Sequence, residues 1–225
     1  MVACVGNTAG EVAIWLLPGM LTVDGEFNFP IPEGPLHKFQ CHQMGSNSVA
    51  LANIGSSIGS CSEKFQVLLV TGGDDQALTF LVLEIEIESN DISKQVIYIR
   101  NGVIAKESSS SAIKGVKVIG NQSRGFNIYA VGYDQRLALW SVDIDSLQQS
   151  PQKSLKFLSS APVDVFDVNC LDGCLIVEEG GLSKELLVVG GQGIEIFSFD
   201  PNSLLAARAL RESDNLLVTC GAGKF

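Results

Sequence analysis

Few residues in this chain are equipped for chemistry, so their types and spacing come first. The only two histidines are His37 and His42. His42 follows Cys41, and carboxylates recur in glycine-bordered turns, as Asp74 and Asp75 in "GGDDQAL" and Asp134 in "GYDQRLAL". A histidine can act as a general base when a carboxylate orients it, and the same carboxylates can hold a ligand. Each also has a structural reading: an aspartate caps its own turn with no ligand present, and a buried histidine bonded to a turn aspartate locks a loop. The structural reading is favoured for His42, Asp74, Asp75 and Asp134, because no further group completes a catalytic set.

Metal and phosphate chemistry find less support. A closed zinc site takes four ligands, usually as two Cys pairs, whereas Cys170 and Cys174 form one CxxxC with no second pair nearby. The terminal "CGAGKF" is similar to a phosphate loop, but Phe225 follows Lys224 where Ser or Thr is required. The 6 cysteines lie in a chain too long to need disulfide staples and read as reduced, mostly buried thiols. The expectation is a protein with no catalytic residues, no metal and no cofactor.

The net charge of −10 makes bare nucleic acid a poor direct partner, since such binding relies on Lys and Arg neutralising phosphates. Lys114, Lys117 and Arg124 form one small basic group, too few charges to hold a nucleic acid alone. The acidic "LEIEIES" (83–89) is either a docking surface for a basic partner or the solvated face of an outer strand, the second being favoured.

These residues must be positioned by a fold that the composition already narrows. With 46% hydrophobic residues and 18% charged, the chain can fill a core, and 23 glycines against 7 prolines favour short strands joined by tight turns. The N-terminus lacks the basic start and apolar run of a secretory signal, and "VAIWLLPGML" is interrupted by Pro18 and Gly19. A soluble, cytoplasmic protein with no membrane partner is expected.

Internal repetition is the strongest signal. "ACVGNTAGEVAIW" (3–15), "LVTGGDDQALTFL" (69–81), "YAVGYDQRLALW" (129–140) and "LVVGGQGIEIF" (187–197) each join two apolar runs through a small polar turn. The anchor glycines Gly6, Gly72, Gly132 and Gly190 are 66, 60 and 58 residues apart by subtraction. Each segment predicts a hairpin. Their runs are apolar at successive positions, which means that both sheet faces are covered. Radially stacked four-stranded sheets satisfy this, although a WD-type blade runs only about 40 to 45 residues. Enlarged loops at 25–35, 55–63 and 105–111 account for the excess.

The outer strand "KQVIYIRNG" (94–102) joins the hairpin before it, and "SAIKGVKVIG" (111–120) begins the next sheet. Residues 153–173 likewise read as outer strand, connection and inner strand. The stretch 202–217, rich in Ala, Leu and Arg, predicts a helix within a separate tail, 200–225. The sum is an all-β, WD40-type β-propeller of about three and a half blades over residues 1–199, with a short C-terminal helix. Closed propellers have about four to eight blades, so the chain is expected to belong to a larger propeller protein or to need a partner for closure.

The hairpins resemble WD repeats, with Trp15 and Trp140 at the strand end and Leu81 and Phe197 in their place elsewhere. "CHQMGSNSVALANI" (41–54) looks like the His-containing loop and first strand that open such a blade. Followed by "VTGGDDQAL" and "AVGYDQRLALW", it resembles the C-terminal part of the WD repeat-containing protein 6 family, with Met44 and Ser46 departing from its pattern. The resemblance implies a non-enzymatic scaffold that binds an FtsJ-like methyltransferase and so supports 2′-O-methylation of the tRNA wobble nucleotide, meeting tRNA only indirectly. It implies structural roles in the blades for His42, Asp74, Asp75, Asp134, Trp15 and Trp140. Two alternatives stay open: a generic WD scaffold in a ubiquitin ligase or trafficking complex, and a propeller hydrolase, which needs a His/Asp/Glu cluster on the central channel.

Overall fold

The computed structural model describes residues 2–16, 34–58, 62–88, 91–120, 125–149, 151–177, 183–199 and 207–210. They form four antiparallel sheets taken in sequence order. The first sheet runs β1 (Val2–Gly6), β2 (Glu11–Leu16), β3 (His37–Gln40). The second runs β4 (Ser46–Ile58), β5 (Ser62–Gly73), β6 (Leu78–Glu88), β7 (Asp91–Ala105). The third runs β8 (Ile113–Gly120), β9 (Gly125–Gly132), β10 (Arg136–Asp143), β11 (Leu155–Pro162), and the fourth β12 (Phe166–Val177), β13 (Ser183–Phe199), β14 (Ala207–Leu210).

Each sheet stacks on the next by its faces. β4 lies against β1 and β8, and β8 against β12, so the leading strands of successive sheets adjoin. The apolar runs follow from this stacking, because successive strand residues point to opposite faces. In β5, Leu68 and Val70 enter a core with Ile113, Val116 and Ile128 of the third sheet. Leu69 between them enters a core with Val12 and Ile14 of the first. All three β5 residues are fully buried. A third core sets Tyr129 and Leu137 of the third sheet against Leu187, Val189 and Phe197 of the fourth. The middle sheets are covered on both faces, and the fold is an open, partial β-propeller of WD type.

Three local expectations change. Residues 55–63 are not chiefly a loop, since β4 and β5 continue their ladder to Ile58 opposite Glu63. Alternation carries the pairing outward, and the strands of the second sheet are 13, 12, 11 and 15 residues long against 8 for each of those in the third. Much of the excess repeat length is therefore strand. The loop at 105–111 falls where expected, between β7 and β8, whereas most of 25–35 lies outside the described residues.

The fourth hairpin is a single 17-residue strand element whose residues 183–192 pair with β12 and 196–199 with β14, with Gly193 at φ 120° between them. The predicted C-terminal helix is corrected at Ala207–Leu210, which pairs with Phe199–Ile196 as strand. The open edge of β13 satisfies those backbone groups, and over four residues that outweighs a helix propensity of a few tenths of a kcal/mol each. The rest of 202–217 lies outside the described residues.

Helix does form between β10 and β11, as α1 (Ile144–Gln149) and α2 (Pro151–Ser154). Asp143 caps α1, accepting from the Asp145 and Ser146 amides at 3.0 and 3.4 Å, and the acidic first turn suits the helix dipole. Ile144 and Leu147 close one end of the core between the second and third sheets.

Candidate functional site

In each of the first three sheets, the turn at 7–10, 74–77 or 133–135 and the linker into the next sheet lie at the same end. That rim collects His42, Asp74, Asp75 and Asp134, and around them one joint is repeated along the arc. In the first three sheets a turn residue adopts a left-handed backbone: Gly10 (φ 82°), Gln76 (φ 64°) and Gln135 (φ 54°). Each aims its carbonyl at the linker that follows its own sheet. Gly10 O accepts from the amides of Cys41 and His42, both at 3.0 Å; Gln76 O from Ser108 and Ser109 at 3.1 and 3.3 Å; Gln135 O from Val163 at 2.9 Å. The left-handed conformation costs a non-glycine residue about 1–2 kcal/mol, so Gln76 and Gln135 are held there by the bonds they make.

The sheet that a linker enters grips it from the other side with a carboxylate. Asp75 Oδ1 accepts from His42 Nδ1 at 2.9 Å and Oδ2 from the Gln43 amide at 2.9 Å. Asp134 Oδ2 accepts from Ser109 Oγ at 2.7 Å and from the Ser110 amide and hydroxyl at 3.1 Å each. At the fourth sheet Glu195 takes this part, accepting from the Asp164 amide at 2.7 Å. Ser109 and Ser110 thus stand where His42 stands one sheet earlier. The Asp-Gln pair shared by "DDQAL" and "YDQRL" signals the joint; the serines and Glu195 carry no such signal and were missed.

His42 is 3% exposed and both its ring nitrogens are engaged. With Nδ1–H donating to Asp75, Nε2 accepts from the Thr71 hydroxyl at 2.7 Å. Thr79, opposite Thr71 in the ladder, donates to Cys41 O at 2.9 Å and fixes the linker from beneath. Neither threonine was foreseen. A Cβ on Gly73 would stand 2.5 Å from His42 Nδ1, which is why this turn opens with glycine. Cys41 and Cys4 are thiols pushed up to about 11, chiefly by burial, and so are poor nucleophiles.

Asp74 does something different from its neighbour. It accepts from Asn47 Nδ2 at 2.6 Å and pairs with Lys114 Nζ of the third sheet at 3.1 Å. The Asn47 hydrogen bond, then Lys114, holds its carboxyl below the usual range. Lys114 also lies 4.9 Å from the centre of the Tyr133 ring, and Lys117 pairs with Asp172 of the fourth sheet at 2.6 Å. The two described lysines of the basic group are thus bound to carboxylates of neighbouring sheets rather than held for phosphate; Arg124 lies outside the described residues. The acidic strand is likewise not simply a solvated face. Glu84 is 6% exposed and accepts from Arg100 and Gln66, and the Arg100 bond holds its carboxyl low.

Trp15 and Trp140 occupy equivalent ladder positions, opposite Ala3 and Ile128. Trp140 meets Phe157 edge-on at 5.1 Å, and its buried Nε1–H has no hydrogen-bond partner among the described residues. Trp140→Phe, which removes that donor at modest loss of volume, is expected to leave stability within about 1 kcal/mol of wild type. Trp140→Ala, at a half-buried side chain, should cost about 2 kcal/mol, read as a difference in urea midpoints. Two clefts of about 480 and 510 Å³ open along the rim and share Gln76 and Glu107 in their walls. No group of three metal-capable side chains occurs among the described residues. Cys170 and Cys174, four residues apart on one strand, are about 13 Å apart and cannot share an ion. No helix among the described residues is long and apolar enough to cross a membrane.

Order, stacking and joints together define an arc of WD-type propeller sheets. No protein-family model matches the chain, and no curated protein matches it in sequence. Among solved structures, it is similar to a chain of the crystal structure of the mitotic checkpoint complex, at 12% identity and TM-score 0.38 over 92% of this chain and 60% of that one. It is similar also to the Swd1 β-propeller domain of Myceliophteria thermophila, at 12% identity and TM-score 0.32 over 92% and 65%. The chain therefore spans less than two thirds of either. The fold assignment rests on the sheets themselves.

Proposed function

We propose that this chain is a non-enzymatic interaction scaffold that holds protein partners against the rim of its propeller sheets. The observation that carries this is the repeated joint. Its left-handed carbonyls and carboxylates fix three linkers and the turns beside them, so that loops lining two clefts are presented in a set geometry. Preformed loops lose little conformational entropy on binding, which favours the scaffold's task of keeping two macromolecules in register. The residues best suited to chemistry, His42 and Asp75, are saturated by each other and by the fold, which argues against the hydrolase reading.

The specific assembly follows from the sequence resemblance. It is the complex with an FtsJ-like methyltransferase that methylates the ribose of the tRNA wobble nucleotide, the methyl donor belonging to the partner. Affinity purification of the full-length protein is expected to recover that methyltransferase, and deletion of the gene to deplete the ribose methyl at the wobble position. Intact methylation after deletion would overturn this assembly and leave the general scaffold reading, which fails in turn if no protein partner is recovered.

A further inference from the structure

One carboxylate between the third and fourth sheets has no part in the scaffold reading. Glu185 of β13 is fully buried. Its carboxylate bridges the sheets, with Oε1 accepting from Asn127 Nδ2 at 2.9 Å and Oε2 from the Tyr129 hydroxyl. Both donors sit on β9, and both are neutral. Two other carboxylates between sheets meet cations, Asp74 facing Lys114 and Asp172 facing Lys117. Among the described residues, Glu185 has no such partner. A buried carboxylate without a cation pays the desolvation of its charge, which two neutral hydrogen bonds only partly offset.

The geometry points to Glu185 as a proton-operated latch between these sheets, closed when its carboxyl holds a proton and loosened when it ionises. A neutral carboxyl can donate to the Tyr129 oxygen or to Asn127 Oδ1, keeping the bridge without burying charge. Consistent with this, burial pushes the Glu185 carboxyl up, against the lowering effect of its bonds to Tyr129 and Asn127. A carboxyl raised on folding contributes stability that is complete below its unfolded value, 4.5, and is lost as pH rises through the folded one. The fourth sheet is then held most firmly in mild acid.

Other ionisable groups lie along the junction of these two sheets. β8 supplies Lys117, the ladder partner of Tyr129, already paired with Asp172 of β12. The linker before β12 supplies Asp164, beside Glu195 of β13, whose carboxyl burial also raises. β10 presents Leu137 and Leu139 to the same core. A variant at Glu185 alone separates its titration from theirs.

Amide hydrogen exchange over residues 183–199 of the full chain, comparing wild type with Glu185→Gln at equal pH, cancels the intrinsic pH dependence of exchange. The wild-type to variant ratio of opening constants should rise by up to about tenfold per pH unit between the unfolded and folded values, then level off. A ratio independent of pH, or one that falls as pH rises, would overturn the latch. If Glu185→Gln does not fold, an NMR titration of the wild-type carboxyl decides: a midpoint above the ordinary glutamate range is expected, and one at or below it overturns the proposal.

Discussion

Phe80→Ala is expected to lower folding stability by about 3–5 kcal/mol, the largest single effect in the molecule. Phe80 lies in β6, wholly buried, in the core it shares with Leu68, Val70, Val116 and Ile128. Two stacked sheets close on that ring from opposite sides. Each is held by its own ladder, so the space left by the ring cannot collapse, and the lost transfer energy is joined by a cavity term. The measurement is urea unfolding monitored by circular dichroism. A loss below about 1 kcal/mol would show that the second and third sheets do not pack as described. Tyr98, 44% exposed on the neighbouring outer strand, supplies the contrast: truncating it should cost under about 1 kcal/mol.

The second large effect concerns the joint. His42→Ala and Asp75→Ala should each cost about 2–3 kcal/mol, because each strands a polar partner, Asp75 and Thr71 in the first case and His42 with the Gln43 amide in the second. The double variant should cost less than the sum by about 1–3 kcal/mol, since the bond between them can be lost only once. Additivity within about 0.5 kcal/mol would mean that the two side chains do not act together. The experiment also bears on function. If His42 served chemistry rather than architecture, its removal would abolish an activity while leaving unfolding unchanged.

A single device explains why so many polar residues crowd one rim. Three linkers are each gripped by a carbonyl from the sheet they leave and a carboxylate from the sheet they enter. The carboxylates are thereby spent on backbone amides and hydroxyls, and what the rim offers outward is shape. Ion pairs of Lys114 and Lys117 then tie the sheets beneath it.

Much of this was legible in the chain because it is local. Strand, turn and strand follow from apolar runs broken at Gly-Asp-Asp and Gly-Tyr-Asp, and continuous rather than alternating apolarity in "FQVLLVTG" calls for sheets covered on both faces. Tertiary structure decided what depends on residues distant in sequence. Asp75 meets a histidine 33 positions earlier, whereas Asp134 meets serines about 24 earlier, and "ESSSS" carries no mark distinguishing a gripped linker from an ordinary polar loop. The burial of Glu84 and Glu185 was equally hidden, for a carboxylate in an alternating strand looks the same whether water or a neighbouring sheet covers it. Ala207–Leu210 shows the limit most directly: residues with a preference for helix pair as strand because the edge of β13 supplies partners for their backbone. Local chemistry specified the hairpins and their turns, and the convergence of separate hairpins specified the partners.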